Sequence, residues 1–522
     1  MSSPTVSSAS TLSGHLAAVA SSRPNQSFLR CGQTSVTFGE LEATSARIAS
    51  RLLAEGFQVG DRIAIAGLNK PEWLAMFFGA TRIGLIVVTL NVRYRERELE
   101  QMLTHSGARA LITHAALDGA DRTGLCTTIA GKVPTLQHII YFETGAPSEL
   151  TYDVLAGTNP DHTSLRQAEH RVASTSPAAI LYTSGSTGAP KGAVLTHASI
   201  LAAARAEREH LNITAADVLV GNMPFNHVGG LTCTITTALT AGAAVILMPV
   251  FNAGDALATI AANSVTVFAG VPTMYALMLR HDDIDRYDLG TIRLTIVGGS
   301  NADEDLCAMI DARFHNARLS NLYGLSESSG ACIMSSSDDD TKTVATTLGR
   351  PLPGVQARVV DPEGVNVPAG HDGELLLHSP ALADGYWQAP EASTETFLPG
   401  GWLATGDMVT TTSTGHLAMR GRRKDMYIQG GYNVYPADVE NVLTTHPAVT
   451  MAAGIGEPDP VLGEIGHYYV VATPNSAVDA DQLTDHCRQN LADYKTPKKI
   501  TFVDDLPTTP AGKIAKAELR KL

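Results

Sequence analysis

One run of small residues has the composition of a phosphate-binding loop. The Tyr182–Gly192 segment is rich in glycine and hydroxyl side chains and ends in Pro-Lys-Gly. Backbone N–H groups and hydroxyl oxygens can surround a phosphate there, and Lys191 adds a positive charge. Lys191 follows a proline and precedes a glycine, so the segment is not a Walker P-loop. Apolar runs flank it at Ala179–Tyr182 and Ala193–Thr196, which predicts strand–loop–strand rather than a flexible linker.

Four further charged residues stand in short motifs that could serve chemistry. Glu327 follows a Tyr-Gly turn, and a carboxylate suits a hard cation such as Mg²⁺. Asp407 ends a Trp-Leu-Ala-Thr-Gly-Asp run, and Arg422 lies in the densest run of charges. Lys513 follows a glycine, which lets the backbone approach a site closely. Each of them alone also has the ordinary interpretation of a turn or surface residue.

His227 lies in a stretch without Asp, Glu, Lys or Arg that extends from Val218 to Gly254. Prolines, a Gly-Gly pair and threonines interrupt this stretch, so it does not read as a membrane helix. It predicts a loop, a buried helix over Leu231–Thr240 and a buried strand over Ala243–Met248, as in a parallel sheet covered on both faces. A hydrogen-bonded core histidine and a site histidine remain equal alternatives for His227.

The elements that must position these residues alternate between strands and helices. Amphipathic segments such as Thr37–Ala54 and Glu96–His105 separate short β-branched runs. The predicted strands are Arg62–Ala66, Ala110–Thr113, His138–Phe142, Ala179–Tyr182, Ala243–Met248, Thr266–Phe268 and Leu294–Val297. This alternation predicts an α/β fold with parallel sheets.

The pattern of predicted elements changes after about Thr347. Glycines punctuate short strands such as Ala357–Val360 and Gly373–Leu377, which predicts a small β-rich subdomain. About one hundred residues beyond the charge run at 421–425 carry their own strand–helix pattern, enough for a small separate domain. A chain of 522 residues is expected to form at least two domains.

Composition excludes some function classes. The formal net charge of −14 opposes binding to nucleic acid or to an anionic membrane surface. Six scattered cysteines show neither Cys-x-x-Cys nor a metal-ligand spacing, as expected of buried thiols in a reducing compartment. The N-terminal region, rich in serine, lacks a basic segment before Arg23, so neither a secretory nor a transit signal is indicated. We therefore expect a cytoplasmic protein.

The glycine-rich loop resembles the phosphate-loop signature of the adenylate-forming superfamily, which comprises acyl-CoA synthetases, nonribosomal-peptide adenylation domains and beetle luciferases. Further signatures follow in that family's order. They are Pro224–His227, Asn321–Glu327, Trp402–Asp407, Gly421–Asp425 and Pro507–Lys513. The resemblance covers almost the whole chain and implies two doubly wound sheets plus the β-rich subdomain in a large N-terminal domain (1–422). It also implies a small, mobile α+β C-terminal domain (423–522).

The resemblance implies a nucleotide site and a reaction. Mg·ATP and a carboxylic acid would give acyl-AMP and pyrophosphate, with Lys513 near the carboxylate and α-phosphate and Glu327 holding Mg²⁺. Asp407 and Arg422 match ribose contacts, and Asn321 and Tyr323 match adenine contacts. The ATP-binding residues implied are Thr183, Ser184, Gly185, Ser186, Thr187, Gly188, Lys191, Gly299, Asn321, Tyr323, Gly324, Ser326, Asp407 and Arg422.

The acyl group and its acceptor are implied in the same way. His227 would gate the acyl pocket, Lys424 would be the hinge, and a loop containing Gly430, Gly431 and Tyr432 would serve thioester formation with coenzyme A. The implied acyl pocket consists of His227, Val228, Gly229, Gly298, Ser300, Tyr323 and Gly324. These residues are small or apolar, which favours a hydrophobic monocarboxylic acid, whether fatty, alicyclic or aryl.

Several alternatives stay open or are disfavoured. Phe225–Val228 offers no carboxylate to pair an ammonium, so an α-amino acid is disfavoured. The acyl acceptor could be a carrier-protein phosphopantetheine instead of coenzyme A. A luciferase-type oxidase lacks support, and a non-enzymatic nucleotide-binding protein would be expected to lack some of these charged residues. The sequence leaves the oligomeric state open, a homodimer included.

Overall fold

The uncharged stretch supplies two central strands of a large mixed sheet. Val218–Gly221 and Ala244–Leu247 pair in parallel, as their fully apolar sequences predict. The computed structural model describes residues 10–183, 191–300, 302–429, 432–474, 476–491, 493–508 and 514–521. The neighbouring strands of this sheet follow in the order Gly330–Met334, Arg318–Leu325, Leu294–Gly298, Val267–Gly270, Val218–Gly221, Ala244–Leu247, Ser27–Cys31 and Thr34–Thr37. Its outer hairpins are antiparallel and its centre is parallel.

A second sheet carries the glycine-rich loop at its edge. Its strands follow in the order Lys191–Thr196, Pro177–Thr183, Ile86–Thr89, Arg62–Ala66, Ala110–Thr113 and His138–Tyr141. The first pair is antiparallel and the others are parallel. The helix Pro71–Arg82 contacts strands of both sheets and is buried on nearly every side, so its all-round apolar sequence has a structural reason.

The helices agree with the sequence periodicity in most places. Thr37 caps the helix Phe38–Ala54 through a capping box with Glu40. The helices are Leu12–Ser22, Phe38–Ala54, Pro71–Arg82, Glu96–Ser106, Thr123–Lys132, Tyr152–Ala156, His162–Glu169, His197–Leu211, Val228–Gly230, Thr237–Ala241, Ala253–Asn263, Pro272–Leu279, Glu304–Arg313, Thr341–Thr346, Pro390–Thr396, Pro436–Thr444, Ala480–Asn490 and Lys516–Leu519. Ile284–Arg286 and Asp493–Lys495 are 3₁₀ turns.

The predicted helix over Leu231–Thr240 forms, but it contains a π-helical segment at Leu231–Thr236. The whole element covers residues 228–241 and begins three residues before the predicted start. Threonine hydroxyls bond carbonyls five residues earlier, Thr234 to Gly229 at 2.9 Å and Thr236 to Leu231 at 2.8 Å. These bonds match the wider π turn, which an apolar pattern does not reveal.

The β-rich region and the C-terminal region form smaller sheets. Gln356–Val360, Asp372–His378, Trp402–Thr411, Phe397–Leu398 and Leu417–Arg422 belong to one of them. Tyr432–Val434, Tyr427–Gln429, Gly463–Ala472, Val449–Asp459 and Lys499–Phe502 belong to the other. The short strands Ala116–Leu117, Ala120–Asp121 and Arg350–Pro351 complete the set described. The fold is therefore α/β with mixed sheets and a small C-terminal domain, which confirms the predicted fold class.

The chain divides into two compact units. The first comprises residues 1–345, 351–356 and 378–403, and the second comprises 346–350, 357–377 and 404–522. Asp407 and Arg422 thus fall within the second unit. The predicted division into residues 1–422 and 423–522, with a hinge near Lys424, stays a prediction. Within the described ranges, no helix has both the length and the apolar character needed to cross a membrane.

Candidate active site

Two paired strands hold the ends of the glycine-rich loop. Thr183 ends one strand, Lys191 begins the next, and the two residues are antiparallel partners. The predicted strand–loop–strand arrangement is therefore present. Tyr182, whose pKa is raised by burial, anchors the first strand through a 2.8 Å contact between its hydroxyl and Nδ1 of His105. The predicted phosphate ligands Ser184, Gly185, Ser186, Thr187 and Gly188 lie outside the described residues.

Glu327 occupies the turn of a tight hairpin. Arg318–Leu325 pairs with Gly330–Met334, and Ser328 Oγ accepts a 3.0 Å bond from Leu325 N inside the turn. Position 324 requires glycine, because the Cβ of any other residue would come within 2.3 Å of the Gly330 carbonyl oxygen. Ser326 and Glu327 are half-buried, so the turn presents a hydroxyl and a carboxylate to the solvent side.

Tyr386 joins Glu327 to Lys191, and the sequence analysis missed it. Its hydroxyl lies 2.6 Å from Glu327 Oε1, and Lys191 Nζ lies 5.2 Å from the centre of its ring. The segment around it is fixed by backbone bonds: Trp387 N donates to Gly192 O at 2.7 Å and Ala383 N to Glu327 O at 2.8 Å. In the sequence, the Gly-Tyr-Trp run at 385–387 was the only feature that could have drawn attention to Tyr386.

The predicted adenine and acyl residues meet at the carboxyl ends of two parallel strands. Gly298, the last residue of its strand, is the partner of Leu322, beside Tyr323. A Cβ on Gly298 would lie 2.7 Å from the Leu322 carbonyl oxygen, and Gly299 has a φ of +82°. Tyr323 is buried, whereas Gly299 and Ser300 are exposed. Ligands in open α/β sheets bind at this edge of the strands.

Asn321 is positioned by side chains and backbone of neighbouring segments. Its N–H donates to Ser335 Oγ at 3.0 Å, and its Nδ2 donates to the Val344 carbonyl at 3.4 Å. Its backbone lies beside Val297 in the adjoining strand. Asn321 therefore has a fixed place one residue before Leu322, at the same edge as Gly298.

His227 caps the helix that follows it. Its Nδ1 accepts a 3.1 Å bond from Gly229 N, and Leu231 N donates to its carbonyl at 3.0 Å. Asn69 fixes the preceding loop, since its Oδ1 accepts from Phe225 N at 3.2 Å. His227 is half-buried and Val228 is buried, so the loop and the first helical turn hold the imidazole at a defined position.

Asp407 and Arg422 form a pair in the second unit. They face each other on antiparallel strands, and Arg422 Nε lies 2.9 Å from Asp407 Oδ1. Asp407 has 1% of its side-chain surface exposed, whereas Arg422 has 45%. The preceding Gly406 has a φ of +71°, and its N–H donates to Glu374 Oε1 at 3.1 Å. The exposed part of the pair is the guanidinium, which can donate hydrogen bonds to a polar ligand, while the carboxylate holds it in place.

The remaining predicted residues lie further along the second unit. Lys424 is exposed in the turn after the strand that ends at Arg422. Tyr432 follows the tip of a hairpin, and its exposed ring stacks on Tyr494 with centres 4.6 Å apart. Gly430, Gly431 and Lys513 lie outside the described residues. The bridge between Thr508 and Ile514 brings together the chain on either side of Lys513.

The predicted residues that the structure describes form one group in each unit. In the first unit, Lys191, Glu327 and Tyr386 form one cluster, and Gly298, Tyr323 and Gly324 share a strand edge. In the second unit, Asp407 pairs with Arg422. No group of three metal-binding side chains forms among the residues that the structure describes.

Comparison with known proteins identifies two matching family regions. The AMP-binding enzyme family matches residues 16–387, and the AMP-binding enzyme C-terminal domain matches residues 438–513. The 3-(7a-methyl-1,5-dioxo-octahydro-1H-inden-4-yl)propanoyl:CoA ligase of Mycobacterium tuberculosis is 34% identical over 502 residues, covering 96% of each chain. A feruloyl-CoA synthase of Amycolatopsis is 34% identical over 503 residues, covering 95% of this chain and 96% of its own.

The fold of the chain is also similar to that of a solved structure. The anthranilate CoA ligase AuaEII in complex with anthranoyl-AMP has a TM-score of 0.86 and 28% sequence identity. The similarity covers 98% of this chain and 96% of that one. Both family regions and the solved fold therefore extend across nearly the entire chain.

Proposed function

The chain belongs to the AMP-binding enzyme family, and from this premise we propose that it is an acyl-CoA synthetase for a hydrophobic monocarboxylic acid. It activates the acid with ATP and passes the acyl group to coenzyme A. The first half-reaction yields acyl-AMP and pyrophosphate, and the second yields the thioester and AMP.

The convergence of Lys191 and Glu327 on Tyr386 is the observation that carries the proposal. A carboxylate is ionised at neutral pH and needs no general base to attack the α-phosphorus. The obstacle is the approach of two anions. A lysine and a carboxylate held next to the loop ends place positive charge and a Mg²⁺ ligand beside the phosphates, so catalysis rests on positioning and electrostatics.

The other predicted residues take supporting roles in this proposal. Asp407 accepts the ribose hydroxyls and Arg422 makes a second ribose contact; the ion pair between the buried carboxylate and the half-exposed guanidinium supports placing both roles together. Tyr323 packs against the adenine and Asn321 contacts its edge, while Ser326 lies near the α-phosphate. Mg²⁺ bound by Glu327 would neutralise phosphate charge. Lys513 would bridge the substrate carboxylate and the α-phosphate.

For the second half-reaction, we assign the hinge to Lys424 and thioester formation to the segment that contains Gly430, Gly431 and Tyr432. An exposed hinge residue in a turn can absorb a backbone change without loss of packing. Coenzyme A is the favoured acceptor over a carrier protein, because the relatives reported above are coenzyme A ligases. The six free cysteines fit a reducing compartment, which supports a cytoplasmic location.

The acyl pocket would hold an uncharged body between His227 and Gly298. The names of the two relatives specify a bicyclic propanoyl group and a feruloyl group, which supports ring-bearing acids in addition to fatty acids. The experiment is mass spectrometry of products from ATP, Mg²⁺, coenzyme A and a panel of fatty, aryl and alicyclic acids. Acyl-CoA formed together with AMP supports the proposal. AMP without a thioester would redirect it to a carrier-protein acceptor.

A further inference from the structure

A buried carboxyl group lies beneath the helix 228–241, away from the residues assigned above. Glu207 belongs to the helix His197–Leu211 and is 2% exposed. Its hydrogen-bonding side chains are those of Cys233 and Thr237, with Thr237 Oγ1 3.5 Å from Glu207 Oε2. Burial raises the pKa of Glu207 to about 8, so the group is mostly neutral at pH 7. A neutral carboxyl can both donate and accept a hydrogen bond.

Glu207 borders a small internal void. The void has a volume of about 10 Å³, which matches one water-sized group. Strand residues form its apolar side, and Glu207 lies on its polar side with Thr234 and Thr237. The apolar side includes Leu219, Val267, Ala269 and Ile296. A single oxygen atom fits this space, but a ring does not.

The helix 228–241 contributes residues both to the void and to the proposed acyl pocket. Gly229, Cys233 and Thr237 are spaced four residues apart on the helix 228–241, so they follow roughly one face. Thr237 lies eight residues, roughly two helical turns, beyond Gly229. Cys233 and Thr237 both line the void.

Strands of the large sheet also contribute residues both to the void and to the proposed acyl pocket. Ala269 and Ile296 line the void, and their strands end at Gly270 and Gly298. Gly298 belongs to the proposed acyl pocket, only two residues beyond Ile296. Because alternate residues of a strand face the same side of the sheet, Ile296 and Gly298 place the void on the same side as the proposed acyl pocket.

The hydrogen bonds around Glu207 leave it capacity for another partner. The hydroxyl of Thr237 has one hydrogen for two acceptors, the Thr232 carbonyl at 3.1 Å and Glu207 Oε2 at 3.5 Å, and the shorter contact is the one to Thr232. The 3.5 Å separation and the thiol of Cys233 make weak partners for a carboxyl group. Polar groups buried with such weak partners commonly have a further one, from water or from a ligand.

We propose that Glu207 determines substrate specificity by hydrogen-bonding a single oxygen, oxo or hydroxyl, at the far end of the acyl body. This inference rests on the proposed acyl-CoA synthetase function. It narrows the substrate class to acids whose body is apolar along its length and oxygenated at its end. A plain hydrocarbon end leaves the carboxyl of Glu207 without that partner and is disfavoured.

The test uses matched acids that differ only at the far end. These are para-hydroxycinnamic against cinnamic acid, omega-hydroxydecanoic against decanoic acid, and the corresponding oxo acid of the decanoic pair. We expect the wild-type enzyme to favour the oxygenated member of at least one pair by about tenfold in kcat/KM, with most of the change in KM. Equal kcat/KM values within every pair would overturn the inference and assign the void to a resident water.

Two variants of Glu207 separate hydrogen bonding from packing. Glu207→Gln keeps a donor and an acceptor and should retain the preference within about threefold, whereas Glu207→Leu should abolish it and improve use of the plain acid. Glu209→Gln is the matched control, since Glu209 is exposed on the same helix. A preference that survives in Glu207→Leu would contradict the inference.

Further measurements distinguish a misfolded variant, or a failure of the proposed function, from a failure of the role proposed for Glu207. The KM for ATP and the thermal unfolding temperature verify that Glu207→Leu is folded, and if it fails to fold, the wild-type and Glu207→Gln comparisons still decide. Absence of acyl-CoA from every acid would count against the proposed function. Acyl-CoA from both members of each pair at equal efficiency would count only against the role of Glu207.

Discussion

The hydroxyl of Tyr386 lies 2.6 Å from Oε1 of Glu327 and donates its hydrogen to that carboxylate. The ring of the same tyrosine faces Lys191, so one side chain orients both charges of the cluster. The two contacts use different parts of Tyr386, the hydroxyl for Glu327 and the π face for Lys191. They can therefore be separated by substitution.

Tyr386→Phe should weaken the action of Glu327 without moving Lys191. A hydrogen bond to a charged group contributes roughly 1.5–3 kcal/mol, so we expect acyl-AMP formation to fall by about tenfold or more. The Mg²⁺ concentration needed for half-maximal rate should rise as well. Pyrophosphate release measured across a Mg²⁺ titration tests this. Tyr468→Phe, which removes a buried hydroxyl bonded to Tyr427 in the C-terminal sheet, serves as the control.

Asp407→Asn should raise the KM for ATP while preserving the fold. Asparagine has nearly the same shape, but it loses the charge that pairs with Arg422 and that we assign to the ribose hydroxyls. The loss should be about tenfold or more, as for other charge-assisted hydrogen bonds. Steady-state kinetics with varied ATP measure it. Asp372→Asn removes an exposed carboxylate and should leave the KM for ATP unchanged; equal effects of the two substitutions would refute the role of Asp407.

Lys513→Ala should block the first half-reaction and spare the second. The lysine is proposed to offset the repulsion between carboxylate and α-phosphate, and loss of such a group costs on the order of 10²–10³ in rate. Acyl-AMP supplied with coenzyme A should still give thioester at nearly the wild-type rate. Separate single-turnover assays of the two half-reactions measure this. An equal loss in both assays would remove Lys513 from its assigned role.

Glu207 should make the stability of the protein depend on pH. Its pKa is about 8 in the folded chain against a usual 4.5, so the folded state retains a proton that the unfolded state releases. This contribution is fully present below about pH 4.5 and is lost as pH rises toward about 8, at up to roughly 1.4 kcal/mol per pH unit. Denaturant unfolding across that range should show a shallower decline for Glu207→Gln. Parallel profiles for the two proteins would show that Glu207 is not protonated in the folded state.

The sequence predicts local elements well because their signals are local. The strands flanking the Tyr182–Gly192 loop and the helix capped at Thr37 follow from apolar runs and a capping box. Tyr386 escaped prediction because its partners are distant in the chain, and only backbone pairing between 383–387 and the strand after Lys191 brings them together. Long-range contacts of this kind leave no periodic pattern.

Glu207 and the π-helical segment escaped prediction for related reasons. The run Arg205–His210 reads as a charged, exposed helix face, yet the structure buries Glu207 between Arg205 and Glu209, which are exposed. The π turn over Leu231–Thr236 depends on threonine hydroxyls reaching carbonyls five residues back. Neither feature changes the apolar periodicity from which helices are predicted.

The most direct measurement traces a labelled carboxylate oxygen of the acid into AMP. In the proposed reaction the carboxylate oxygen bonds the α-phosphorus, and attack by the thiol of coenzyme A then breaks the bond between that oxygen and the acyl carbon. An acid labelled with heavy oxygen in its carboxylate should therefore give AMP that carries one labelled oxygen, in amounts equal to the acyl-CoA formed. Unlabelled AMP, or ADP with labelled phosphate, would contradict activation through acyl-AMP.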